Sequence, residues 1–272
     1  MSFPIALQLY SVRDDLEKDF EGTLRKVKAM GYEGVEFAGL YGYKPAEVKK
    51  LLDEIGLIPV SAHVPFVDLM ADPEGMVNDY AEIGCKYIAI PYLTPEYRPN
   101  GEKFAEVIEG AKVLGKAAKE RGLTLLYHNH DFEFEKINGE YALDILYKSV
   151  PSDLLQTQID TCWVNVAGED PAAYLEKYAG RSPVVHLKDF VMPGKRPAKM
   201  YELIGIQDDQ KVEEDAFEFR PLGMGTQNFP RILEACKAVG AEWLVVEQDR
   251  PSMGKTALEC AEASIKYLAT IN

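Results

Sequence analysis

All four histidines of the chain stand at or near the ends of short apolar segments. They are His63, His128, His130 and His186. Asp160 and Glu247 end two further segments of the same kind. Imidazole nitrogens and carboxylate oxygens bind divalent metals and also carry protons in acid–base catalysis. The pattern therefore predicts a metal-binding or proton-transferring site, provided that the fold brings these segment ends together.

Short apolar segments alternate along the chain with longer segments whose apolar residues recur at three- to four-residue spacing, as in amphipathic helices. The predicted strands are 5–10, 34–38, 59–63, 87–91, 124–129, 155–160, 184–188 and 243–248. The predicted helices are 19–30, 45–55, 73–83, 102–120, 141–149, 171–178, 229–239 and 255–269. Five of these helices are followed by a glycine suited to a left-handed C-cap, namely Gly31, Gly56, Gly84, Gly122 and Gly240.

Eight strand–helix units in 272 residues predict an α/β fold of the (β/α)8 or TIM-barrel type, as a single domain over residues 1–272. The alternative is an open doubly wound sheet, but no GxGxxG motif follows the first predicted strand. Residues 190–221 form an insertion after strand seven that is too long for an ordinary loop. We expect this insertion to act as a lid or an interface element, which leaves a homo-oligomer open.

The composition argues against several classes of partner. Thirty Lys and Arg residues against 44 Asp and Glu residues give a formal charge of −14, so we expect neither nucleic-acid nor membrane binding. The first residues lack the basic flank and apolar core of a signal peptide, which predicts a cytoplasmic protein. The four cysteines lie far apart without CxxC spacing, so neither a disulfide framework nor a cysteine zinc site is expected.

In a TIM barrel the chemistry takes place at the carboxyl ends of the strands, where the βα loops form one open mouth. Polar side chains that converge there cost roughly several kcal/mol to desolvate unless a partner compensates, and a divalent cation is the natural partner. The donor set is His128, Asp160, His186 and Glu247, which suits one ion of manganese, iron, cobalt, zinc or magnesium. In the alternative, each histidine makes an ordinary structural hydrogen bond inside the barrel.

Eight motifs carry a family resemblance that extends over essentially the whole chain. They are IALQLYSVR (5–13), GYEGVEFAG (31–39), SAH (61–63), YHNHDFEF (127–134), QIDTCW (158–163), VVHLKD (184–189), PLGMGTQNF (221–229) and VVEQD (245–249). In this order they resemble the xylose isomerase-like barrels, the sugar phosphate isomerase/epimerase superfamily that also contains inosose dehydratases and endonuclease IV. The HNH sequence of strand five resembles one branch of that superfamily.

The resemblance implies a metal held by a glutamate, an aspartate, a histidine and a glutamate from strands five to eight. Asp160, His186 and Glu247 match the last three positions, whereas His128 stands where the family has its first glutamate. Glu133 is the alternative ligand if the register is different. Lys188 resembles a family position that faces substrate oxygens.

These matches imply a metal-dependent isomerase or epimerase that acts on a small sugar or keto-sugar through an enediolate. Glu247, His130 and Lys188 are the expected catalytic residues, with His130 or His63 as the acid. The expected substrate-binding residues are Gln8, Glu36, His63, Lys188 and Trp163. Because His128 replaces a glutamate, proton transfer between two carboxylates on opposite substrate faces is in doubt.

Three other functions remain open at this point. The first is a lyase or dehydratase that acts on a keto-sugar or cyclitol through the same enediolate. The second is a nuclease, which would require more histidines and a basic groove than this chain of −14 charge provides. The third is a barrel that binds a sugar without transforming it, in which case Glu247→Gln would leave biological activity intact.

Overall fold

The computed structural model describes residues 2–194 and 217–272. Its main element is an eight-stranded sheet in which every pairing is parallel. The strands are β1 (Ile5–Gln8), β2 (Gly34–Phe37), β3 (Ile58–Ala62), β4 (Tyr87–Ile90), β5 (Thr124–His128), β6 (Gln156–Asp160), β7 (Val184–Leu187) and β8 (Trp243–Val246). All eight overlap the predicted strands, and no strand end differs from its prediction by more than two residues.

The sheet curves into a barrel because neighbouring strands along the chain pair in order and β8 returns to β1. The remaining seam lies between β3 and β4, where His63 and Ala89 form a parallel bridge. At the same seam, Lys86 N donates to Val60 O at 3.1 Å and Val64 N donates to Ala89 O at 3.0 Å. The predicted TIM barrel is therefore confirmed, and the open doubly wound sheet is wrong.

Helices surround this barrel and bury their apolar faces against it. They are α1 (Arg13–Lys18), α2 (Phe20–Met30), α3 (Pro45–Ile55), α4 (Phe66–Ala71), α5 (Pro73–Ile83), α6 (Phe104–Glu120), α7 (Ala142–Ser149), α8 (Thr161–Val166), α9 (Pro171–Lys177), α10 (Phe229–Val239) and α11 (Ala257–Ile271). The sequence missed α1, α4 and α8, because a helix of six residues is too short to show a clear apolar period. None of the helices in residues 2–194 and 217–272 is long and apolar enough to cross a membrane.

The interior of the barrel has two tiers of side chains. The tier at the amino ends of the strands is largely apolar and consists of Ala6, Val60, Tyr87, Ala89, Leu126, Val184 and Val245. The tier at the carboxyl ends is polar yet buried, and it includes Gln8, Glu36, His128, Gln158, Asp160, His186 and Glu247. Because side chains alternate along each strand, the same inward face supplies both tiers.

The insertion after β7 begins and ends on a two-stranded antiparallel ribbon, in which Asp189–Val191 pairs with Glu218–Arg220. Residues 195–216, the greater part of the predicted lid or interface element, lie outside the described residues. Trp163 of α8 packs against the ribbon together with Phe190, Phe217 and Phe219. The ribbon thus has its own small apolar core beside the mouth of the barrel.

Candidate active site

A cavity of about 460 Å³ opens at the carboxyl ends of the barrel strands. This volume is within the usual range for small-molecule sites. Its ionisable wall residues are Tyr10, His63, Tyr92, His128, His130, Lys188, Glu247 and Asp249. The cavity lies where the barrel architecture predicts chemistry to take place.

Four of the predicted residues converge on one point at this end of the barrel. The ligand atoms of His128, Asp160, His186 and Glu247 all lie within 4.8 Å of one another. Each side chain is at most 5% exposed, so the group is buried beneath the cavity. Strand pairing produces this convergence, because Asp160 lies opposite His186 in the register of β6 and β7, and His186 lies opposite Val245 in that of β7 and β8.

The chemistry of this donor group suits a divalent cation. Asp160 uses Oδ1 to accept from Cys162 N at 2.8 Å, but its buried Oδ2 and the buried Nδ1 of His128 make no hydrogen bond in the described residues. Burial, together with neighbouring histidines, holds the pKa of His128 well below its usual range, so this imidazole is neutral. Two imidazoles and two carboxylates in one buried group, with one carboxylate oxygen that makes no hydrogen bond, are a donor set that could bind a metal ion.

Lys188 lies against the same carboxylates. Its Nζ is 3.0 Å from Glu247 Oε2, 3.3 Å from Asp160 Oδ2 and 3.1 Å from Asp249 Oδ2, although the side chain is only 1% exposed. Burial alone would lower the pKa of Lys188, but Asp249, Glu247 and Asp160 raise it well above its usual value. Lys188 is therefore a fixed cation that borders both the donor group and the cavity, close to its expected place beside substrate oxygens.

His186 is held between two carboxylates on opposite sides of its ring. Its Nε2 is 2.7 Å from Glu36 Oε1, and its Nδ1 is 3.1 Å from Glu247 Oε2. Burial would lower the pKa of His186, but Glu36 and Glu247 raise it to about 10. The protonated ring and Lys188 together supply the positive charge that these buried carboxylates require.

Gln8 and Glu36 lie beneath the cavity and not on its wall, so the expectation that they bind substrate is corrected. Both side chains are fully buried, and Gln8 Nε2 donates to Glu36 Oε1 at 2.7 Å. Gln158 Nε2 donates to the other oxygen, Oε2, at 2.5 Å. Spacing alone showed that the two residues end strands, but not that they stand one layer too deep to reach a ligand.

Trp163 also lies away from the cavity wall, because its ring is fully buried in the ribbon core and stacks parallel to Phe217. The ring contacts two residues of the cavity wall from behind, since Lys188 Nζ lies 5.5 Å and the His130 ring centroid 5.3 Å from its own centroid. Sugar stacking on Trp163 is therefore replaced by packing behind Lys188. The sequence placed Trp163 next to a strand end, but α8 begins there and turns the side chain outward.

His130 and His63 are on the cavity wall, as expected for residues that meet substrate. The pKa of His130 is held well below its usual range by burial, with Lys188 adding to the effect. His130 is therefore neutral near pH 7, which conflicts with its expected role as an imidazolium acid. His63 Nε2 contacts Gln158 Oε1 at 2.7 Å and Glu36 Oε1 at 3.0 Å.

Glu133, the alternative ligand, is not part of the donor group. Its Oε1 accepts from the Tyr127 hydroxyl at 2.7 Å and its Oε2 accepts from His130 N at 2.8 Å. The carboxyl group therefore anchors the loop that carries His130, while His128 occupies the strand-five position.

Asp249 lies on the cavity wall but was not among the expected site residues. Its alternation with Glu247 places both side chains on the same face of strand eight, so the sequence could have predicted its position.

The comparisons with known proteins agree with this fold. Residues 24–271 match the model of the xylose isomerase-like TIM barrel family. The chain belongs to this family.

Individual relatives are more distant. An inosose dehydratase from Clostridium beijerinckii is 25% identical over 276 residues, which cover 93% of this chain and 89% of that protein. A sugar phosphate isomerase/epimerase from Parabacteroides distasonis superposes with a TM-score of 0.76 at 23% identity and covers 98% of both chains. The IOLI protein, solved with a bound zinc atom, has a TM-score of 0.73 at 16% identity over 98% of this chain and 97% of its own. The two solved structures show a shared fold.

Proposed function

We propose that this protein is an enzyme that uses one divalent metal ion to transform a small sugar or keto-sugar through an enediolate. The observation that carries the proposal is the convergence of His128, Asp160, His186 and Glu247 beneath an open cavity. When bound, the cation would supply Lewis-acid polarisation of a substrate carbonyl. The bound zinc of the IOLI protein, which shares the fold, supports a bound metal without fixing the identity of the metal.

The protein groups around the cavity supply the proton chemistry in this proposal. A carboxylate, Glu247, removes the proton from the carbon next to the substrate carbonyl. Lys188 stays protonated and donates a hydrogen bond to the oxygen on which negative charge develops. Asp249 returns a proton, because burial raises its pKa to about 7 and its carboxyl group exchanges protons near neutral pH.

Return of the proton to carbon gives isomerisation or epimerisation, which is the first proposed reaction. The second is elimination of a neighbouring hydroxyl group, as in a lyase or dehydratase. The match to an inosose dehydratase over 93% of the chain favours this second reaction. Both begin with the same proton removal, and they differ only in where the acid delivers its proton.

Proton exchange tests the proposal directly. The purified chain is supplied with Mn²⁺, Co²⁺, Zn²⁺, Fe²⁺ or Mg²⁺ and mixed with a panel of keto-sugars and cyclitol ketones in D₂O. We expect the NMR signal of one proton next to the carbonyl to disappear, with an isomer, an epimer or a dehydrated product accumulating. Glu247→Gln should abolish the exchange, whereas Glu242→Gln on the outer surface should not.

The outcomes separate the alternatives. If sugars bind by calorimetry but no proton exchanges, the barrel is a sugar-binding protein and the enzymatic proposal fails. If neither a metal nor a sugar binds, the whole assignment fails.

A further inference from the structure

We propose that Glu36 is a positioning residue that fixes the imidazole of His186, so that Nδ1 and not Nε2 faces the metal. This inference rests on the proposed function, because it assigns Glu36 a role towards the same cation. It replaces the substrate-binding role expected for Glu36 from its place at a strand end.

The hydrogen bonds around Glu36 define it as an acceptor. Gln8 Oε1 accepts from Tyr10 N at 3.0 Å, which fixes the orientation of the Gln8 amide. The other end of that amide, Nε2, must therefore be the group that donates to Glu36 Oε1 at 2.7 Å. Gln158 Nε2 donates to Glu36 Oε2 at 2.5 Å. Two amide donors thus point at one buried carboxylate.

The acceptor character of Glu36 sets the tautomer of His186. His186 Nε2 lies 2.7 Å from Glu36 Oε1, and two oxygen or nitrogen acceptors cannot meet at that distance without a proton between them. Nε2 must therefore carry the proton. Nδ1 lies 3.1 Å from Glu247 Oε2, so without a metal it carries the second proton of the ring and donates it to that oxygen. A bound metal would replace this proton at Nδ1, because Nε2 cannot lose its own proton while it faces the acceptor Glu36 Oε1.

Packing holds the ring in this orientation. The rings of His63 and His186 stack with centroids 5.2 Å apart and an interplanar angle of 11°. Glu36 belongs to β2, across the barrel from β7, and it is absent from the group of four converging ligand atoms. It therefore contacts His186 from the side opposite Glu247. A carboxylate that accepts from the second nitrogen of a ligating histidine both orients the ring and increases its basicity.

The first experiment reads the tautomer of the natural chain. The protein is labelled with ¹⁵N-histidine and titrated with Zn²⁺, and the His186 signal is assigned by its loss in His186→Gln. We expect Nε2 to remain protonated and Nδ1 to show the shift of a metal-bound nitrogen. Coordination through Nε2 would overturn the inference.

The second experiment removes the carboxylate. In Glu36→Gln an amide offers one acceptor and one donor where four nitrogens now converge, so His186 loses its partner or its ring turns. We expect Co²⁺ affinity to fall about 10- to 100-fold and the visible Co²⁺ spectrum to change. The matched control is the exposed Glu33→Gln, three residues earlier, which should bind Co²⁺ within about 2-fold of the natural chain by this argument.

The outcomes distinguish this inference from the proposed function. A folded Glu36→Gln variant with unchanged Co²⁺ affinity and spectrum would overturn the role of Glu36 alone. If that variant does not fold, the ¹⁵N measurement on the natural chain decides. If the natural chain binds neither Zn²⁺ nor Co²⁺, the proposed metal-dependent function and this inference both fail.

Discussion

The two oxygens of the Asp160 carboxylate have different partners, which shows how one residue serves both fold and site. Oδ1 accepts from Cys162 N and Trp163 N and so caps the first turn of α8. Oδ2 faces His128 Nε2 at 3.7 Å and Lys188 Nζ at 3.3 Å. The cap fixes the direction of the side chain, so the second oxygen is already oriented when a cation arrives.

Glu133 gives a pH-dependent prediction at the scale of a single residue. Burial raises its pKa to about 8, against roughly 4.3 in an unfolded chain. Between these values the folded state keeps a proton that the unfolded state releases, so this residue makes stability fall as pH rises. Glu133→Gln should therefore gain free energy of unfolding relative to the natural chain, by up to about 1.4 kcal/mol per pH unit.

Urea unfolding from pH 4 to pH 9 measures this difference between Glu133→Gln and the natural chain. The difference should level off below about pH 4 and above about pH 8. Gln keeps an acceptor for His130 N, and its NH₂ group donates to the Tyr127 hydroxyl, which can rotate to accept, so the change isolates the titrating proton. Glu135→Gln, an exposed carboxylate on the same loop, should show a much smaller dependence. A constant difference across the range would show that Glu133 does not titrate on folding.

The sequence located the four converging donors because each ends a strand, and parallel strands of a barrel end at one rim. It could not place Gln8 and Glu36, since the depth of a side chain depends on how adjacent strands are staggered. Trp163 was misplaced because α8 begins at the preceding strand end and is too short to detect. The sequence could not predict that His130 is neutral, because its pKa is lowered by burial and by Lys188, and both depend on the folded barrel.

At the scale of elements, a buried carboxylate joins the two ends of the insertion. Asp189 Oδ1 accepts from Phe190 N at 2.9 Å and Gln227 N at 3.1 Å, while Oδ2 accepts from Gly223 N at 3.0 Å and Gly225 N at 2.9 Å. The glycines of the PLGMGTQNF motif thus surround this carboxylate, and the backbone N–H groups of the expected turn donate to it. Residue spacing predicted the turn, but it did not predict that the turn binds Asp189, which lies 36 positions before Gly225.

Gly225→Ala should break this arrangement. An added Cβ would lie 2.2 Å from Asp189 Oδ1 and 2.5 Å from Phe190 O, so the loop must move away from the carboxylate. We expect the free energy of unfolding to fall by roughly 1–3 kcal/mol in urea unfolding experiments. Gly194→Ala is the matched control, because no atom of residues 2–194 and 217–272 lies within 4 Å of its added Cβ. Equal stability of the two variants would contradict the role assigned to Asp189.

At the scale of the whole molecule, the folding of the barrel is linked thermodynamically to the binding of the proposed cation. Lys188 and a protonated His186 offset the buried carboxylates without a metal, so the chain should fold in its absence. A metal that binds only the native state adds about 4 kcal/mol at a thousand times its dissociation constant. For a chain of 272 residues, we expect a chelator to lower Tm by roughly 8–16 °C from the metal-saturated value.

Asp160→Asn provides the comparison for this measurement. Asparagine keeps the α8 cap but removes the ligand charge, so the variant should fold, bind metal weakly and show little change of Tm with chelator. Asp170→Asn replaces a capping aspartate of α9 outside the donor group and should respond to chelator as the natural chain does. A strong chelator effect in Asp160→Asn would mean that the metal binds elsewhere.

The contacts of Asp189 also bear on the tolerated length of the insertion. The ribbon and this carboxylate hold the two ends of the insertion side by side, so the closure entropy of the chain between them grows only with the logarithm of its length. Lengthening or shortening that chain should therefore cost little through this entropy. The anchor and the buried donor group can keep their geometry while the number of residues between the ribbon strands changes.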